Sequence, residues 1–151
     1  MKHNTSFFHA ILLLILLCSS CSNSMSNDIQ IATDLPAPEP DKATVFGTLI
    51  NKVNKEPVSG SPFLGSALTT NNPELPITVS FSLQKDPGAV FDVNTGYFYF
   101  ENIEPGSKYV LVLVYGPGNF LTVEDPLTQL PLIISVNAGE TIDLGTLMVT
   151  E

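Results

Sequence analysis

The stretch Asp92-Val93-Asn94-Thr95-Gly96-Tyr97-Phe98-Tyr99-Phe100 decides the fold. Successive side chains of an extended chain point to opposite faces, so the four aromatic residues divide cleanly: Phe98 and Phe100 to one face, Tyr97 and Tyr99 to the other. The preceding Asn94-Thr95-Gly96 supplies residue types suited to a tight turn into this strand. Further on, Val110-Leu111-Val112-Leu113-Val114 is apolar on both faces, the pattern of a central strand covered on both sides.

Outward from this centre the chain keeps the same rhythm. Short apolar runs predict strands over Thr44–Ile50, Pro62–Leu68, Ile77–Gln84, Ala89–Asp92, Tyr97–Asn102, Lys108–Tyr115, Asn119–Val123, Leu130–Asn137 and Thr141–Val149. Between them stand bends such as Lys55-Glu56-Pro57, Asp86-Pro87-Gly88, Glu104-Pro105-Gly106, Gly116-Pro117-Gly118 and Asn137-Ala138-Gly139. Beyond Lys42 no stretch repeats its apolar residues at helical spacing for three turns. The expected fold class is therefore all-β, arranged as a two-sheet sandwich.

Val45-Phe46-Gly47-Thr48-Leu49 followed by Glu56-Pro57-Val58, then Asp92 through Gly106 with Tyr109-Val110-Leu111, resembles the carboxypeptidase regulatory-like domain family. The resemblance covers residues 44–149, and the segment from Asp92 to Pro105-Gly106 is its most specific part. It implies a transthyretin-like, broadly immunoglobulin-like Greek-key sandwich of seven strands. It also implies an accessory module rather than an enzyme, with Gly96 and Gly106 as turn residues, and it transfers no catalytic residue. The stretch Ser59–Pro76 departs from the family pattern by an apparent insertion.

The N-terminus carries a different signal. Lys2 is followed by an almost unbroken apolar run, Phe7–Leu17, and then by the small, polar Cys18-Ser19-Ser20-Cys21, the three-part layout of a secretory signal. As a helix this run would reach about 17 Å, short of the ~30 Å hydrocarbon core, so a permanent membrane span is not expected. Leu17-Cys18-Ser19-Ser20-Cys21 resembles a bacterial lipobox, which implies a lipid on Cys21 after cleavage. Cys18 departs from the usual aliphatic residue at its position. Residues 1–20 are thus read as a lipoprotein signal peptide. Cleavage without lipidation, releasing a secreted chain, is the alternative. Residues 21–42, rich in Ser, Asn and Pro, read as a flexible tether reaching ~25 Å, and residues 43–151 as the folded domain.

Composition narrows the function classes. The chain holds 15 Asp and Glu against 6 Lys and no Arg, a net charge of −9, so its field repels phosphate backbones and nucleic acid is not an expected partner. Both histidines, His3 and His9, precede Cys21, so a processed chain lacks histidine-based metal sites and nucleophile–histidine pairs. Asp92-x-Asn94-x-Gly96 partly matches a calcium loop but lacks the third ligand and the distal bidentate glutamate. Glu124 and Asp125 would join it only if folding brought them near. An internal crosslink between Lys52 or Lys55 and Asn137 would need an acidic catalyst beside the pair. No catalytic residue, metal site or cofactor is expected.

The remaining candidates for contact are Tyr97 and Tyr99, able to stack on a sugar or dock a protein if they face solvent. The resulting expectation is a cell-envelope lipoprotein, tethered to the membrane by its lipid and presenting a non-catalytic module to an envelope protein or glycan. Ser22 after the anchor would favour the outer membrane in a Gram-negative host. The alternative is a secreted transthyretin-like carrier binding a small ligand.

Overall fold

The computed structural model describes residues 35–68 and 76–151. The expected signal peptide, the expected tether as far as residue 34, and residues 69–75 of the expected insertion lie outside them. Nine strands are present among the described residues: β1 (Ala43–Asn51), β2 (Ser61–Leu68), β3 (Thr78–Ser80), β4 (Val90–Phe91), β5 (Tyr97–Ile103), β6 (Lys108–Gly116), β7 (Asn119–Thr122), β8 (Ile133–Ser135) and β9 (Thr141–Val149). One sheet runs β4-β5-β1-β9 and the other β3-β2-β6-β7, with β8 also on β6. The described residues contain no helix. The protein is an all-β sandwich.

Each expected segment contains a strand, but the count of seven implied by the family resemblance is exceeded. The reason lies at one edge of β6. Its second half pairs with β7 through Val112↔Thr122 and Leu113↔Leu121, and its first half with β8 through Tyr109↔Ile134 and Val110↔Ile133. Two short strands thus share one strand position, separated by a turn at Asp125, whose carboxylate accepts the Leu127 and Thr128 N–H groups at 2.8 and 3.0 Å. The segment expected over Ile77–Gln84 is also shortened: β3 stops at Ser80, and the Ser82 N–H turns back onto the Asp86 carboxylate at 2.6 Å.

The core between the sheets follows the alternation. Phe98 and Phe100 are buried and meet edge to face, with ring centroids 5.7 Å apart. Val45 and Leu49 lie beside them in one sheet, and Leu64, Leu111 and Leu113 pack from the other. Burying each such side chain is worth about 1.5–3 kcal/mol. A second apolar layer explains the outward valines of β6. Val110 and Val112 are as deeply buried as the leucines, on the face where Phe63 of β2, Phe81 and Phe120 of β7 form an aromatic chain with centroid spacings of 5.6 and 6.1 Å.

Among the described residues β1, the first strand, lies beside β9, the last. It pairs antiparallel with β5 and parallel with β9, from Thr44↔Thr141 to Asn51↔Val149. Bulges interrupt both ladders, one placing Glu101 and Asn102 opposite Thr44, the other placing Leu144 and Gly145 opposite Gly47. The β5–β6 corner is fastened by Tyr109, whose hydroxyl donates to the Glu104 carbonyl at 2.9 Å. This is the tyrosine-corner arrangement of Greek-key sandwiches, with the ring in the core and the phenol bonded to backbone upstream. Tyr109→Phe keeps the ring and loses that bond, so it is expected to cost about 1 kcal/mol. Thermal unfolding should register a fall of roughly 4–8 °C. An unchanged midpoint would deny the hydroxyl any part in holding the corner.

Candidate functional site

Tyr97 and Tyr99 lie, half-buried, on the outer face of the β4-β5-β1-β9 sheet. Register builds a row around them. Tyr99 stands opposite Val90 of β4 on one side and Phe46 of β1 on the other, and Phe46 stands opposite Asp143 of β9. The row Val90–Tyr99–Phe46–Asp143 therefore crosses all four strands, about 14 Å at ~4.8 Å per step. Tyr97 lies in the adjacent row opposite Thr48, its ring centroid 6.3 Å from Tyr99 and 6.4 Å from Phe46. Phe46, Val90 and Asp143 carry no site signal in the sequence. Outward orientation of Phe46 follows from the alternation of β1, but which residues stand beside it depends on strand order, which no local pattern encodes.

The two tyrosines differ in what they offer. The Tyr97 hydroxyl is buried and finds no hydrogen-bond partner among the described residues. Burial, together with Tyr99 and Asp143 nearby, pushes its pKa above the ordinary phenol value, so it stays a protonated donor. Asp143 spends one carboxylate oxygen on the Gly145 N–H at 2.7 Å. This fixes the carboxylate at the row's end, and its second oxygen makes no hydrogen bond among the described residues. The result is an aromatic and aliphatic strip, its rings tilted 44–49° to one another, ending in a fixed acceptor, able to pack on an apolar face and to accept from a hydroxyl.

The other candidates resolve into structure. The Asp92 carboxylate accepts from the Asn94 backbone N–H at 2.9 Å and the Thr95 hydroxyl at 2.8 Å, which orders the turn into β5. Among the described residues no three His, Cys, Asp or Glu side chains converge as metal ligands. The Asn137 amide donates to Glu140 at 3.0 Å and Lys55 Nζ lies 3.7 Å from Met148 Sδ, so two of the three reactants of an internal crosslink, Asn137 and Lys55, are engaged elsewhere. Cys21 lies outside the described residues.

The Asp92 turn carries a pH prediction. Its pKa is lowered, first by the Asn94 backbone N–H and then by the Thr95 hydroxyl. Asp125 is lowered likewise, by the Thr128 and Leu127 N–H groups. A folded pKa below the unfolded one means that the stabilisation is present above the unfolded value of about 4 and is lost as pH falls through the folded value. Urea midpoints should therefore drop as the pH falls below about 4 in the wild type. The drop should shrink in a D92N/D125N double variant; an equal acid dependence in both would refute this assignment.

No family model and no curated protein matches the chain. Among solved structures, it is similar to a 9R-lipoxygenase from Cyanothece PCC8801, at 15% identity and a TM-score of 0.37, over 95% of this chain and 23% of that one. The chain spans less than a quarter of that protein's length, and a likeness at this level carries no argument.

Proposed function

We propose that the protein is an exported lipoprotein, held to the cell envelope through Cys21, whose sandwich is a non-catalytic binding module of the carboxypeptidase regulatory-like type. The observation that carries the binding reading is the row Val90–Tyr99–Phe46–Asp143 on the outer sheet face. A stacking surface beside a fixed carboxylate suits the face and hydroxyls of a neutral glycan, since the charge of −9 repels acidic polymers. The leader supports the anchor, and the Ser- and Pro-rich stretch before β1 supports display at a distance from lipid head groups.

The test joins address to binding. Metabolic labelling with a fatty acid is expected to mark wild type and C18A but not C21A, which should leave the membrane fraction. Migration through gels carrying neutral polysaccharides is expected to be retarded for the wild type and restored by Y99A. Absence of label in the wild type would move the secreted carrier to first place. Labelled protein with unretarded migration would turn the aromatic row towards a protein partner.

A further inference from the structure

β9 ends its sheet, with β1 on one side and no strand on the other among the described residues. Its C-terminal half borders a groove of about 530 Å³, whose opposite wall is the β7 end and the following turn, through Leu121, Glu124 and Gln129. The direction of the strand's backbone groups follows from one bond: the Lys52 N–H donates to the Val149 carbonyl at 2.7 Å. Neighbouring residues of a strand turn their polar backbone groups to opposite sides, so those of Met148 and Thr150 face the groove. Backbone N–H and C=O groups at this period are matched by another extended chain and not by the irregular hydroxyls of a sugar.

Charge says what kind of chain. Asp125 holds its own turn through one carboxylate oxygen, whereas the Glu124 carboxylate makes no hydrogen bond among the described residues and stands on the wall facing the β9 edge. Lys52 is the cation among the lining residues. A second copy of this chain would bring a further −9 against the same surface. We propose that this edge accepts an extended, lysine- or arginine-bearing peptide segment of a partner protein, which adds to the sheet beside Thr146–Thr150 and sets a basic side chain against Glu124. This site is separate from the aromatic row and does not depend on it.

The test uses the full chain and an acetylated hexapeptide alternating lysine and valine. Three comparisons accompany it: the same peptide N-methylated on alternate residues, a glutamate-for-lysine peptide, and the variants T150P and E124K. Saturating lysine peptide is expected to slow amide exchange at Met148 and Thr150 by about tenfold or more. N-methylation should abolish this. T150P removes a groove-facing donor without removing a bond to β1, and should also abolish it. E124K, on an exposed turn where folding is not at stake, should weaken the lysine peptide by about fivefold and favour the glutamate peptide. Equal binding of the N-methylated peptide, no change in exchange with the lysine peptide, or indifference to E124K would each overturn the proposal. So would self-association abolished by T150P, which would give the edge to a second copy.

Discussion

Gly96→Ala is expected to lower the unfolding free energy by about 3–5 kcal/mol, the largest loss among the glycines, since its added Cβ would make the shortest contact of the ten. Two costs combine. Gly96 has φ +75°, in the left-handed region where an L side chain costs about 1–2 kcal/mol. A Cβ there would also lie 2.4 Å from the Leu49 carbonyl oxygen, a backbone atom that cannot swing aside. Relieving the overlap pushes β1 from the turn and strains the Leu49 N–H to Gly96 carbonyl bond of 2.8 Å. Gly106 is the internal control: its φ is +80°, but nothing lies within 4 Å of its Cβ position. Gly106→Ala should therefore cost only the conformational part, about 1–2 kcal/mol. Urea denaturation of both variants separates the terms, and equal losses would show that the Leu49 contact contributes nothing.

Phe98→Ala should cost a similar amount, about 3–5 kcal/mol, by a different mechanism. The ring is fully buried between the sheets, against Phe100 and beneath Gly47, whose Cβ position lies 3.2 Å from its Cζ. Removing it leaves a cavity that the two sheets cannot close without moving together. Tyr99→Ala, one residue on and facing outward, should cost markedly less because its ring is only half-buried. If both substitutions shift the urea midpoint equally at unchanged slope, the division of faces in β5 is wrong.

That division is legible in the sequence, because strict alternation at residues 97–100 admits a single assignment of faces once one side is buried. The double burial of β6 is legible too, but what covers its outer face is not. Phe63, Phe81 and Phe120 come from three separate segments, and their meeting over Val110 and Val112 is a matter of strand order. The same limit explains Ile77–Gln84. Its alternating Ile77, Val79, Phe81 and Leu83 read as one long strand, yet the Asp86 cap on Ser82 ends the ladder and Phe81 roofs the second apolar layer. Tyr109 has a visible signal, standing just after Glu104-Pro105-Gly106, but a corner is recognised only when the phenol is seen to reach back. Of the aromatic row, alternation alone names Tyr97 and Tyr99, while Phe46, Val90 and Asp143 require the register.

The parallel pairing of β1 with β9 has a consequence for how the molecule assembles. Thr44 and Thr141 become neighbours, so the sheet that carries the aromatic row closes only after nearly the whole domain has been threaded into place. Local hairpins such as β6–β7 form in about 1–10 μs, whereas sandwiches dominated by distant pairings reach the native state in milliseconds to seconds. A chain emerging N-terminus first from an export channel would hold β1 without its last partner throughout that passage. Its exposed edge would be the segment in need of a chaperone until β9 arrives.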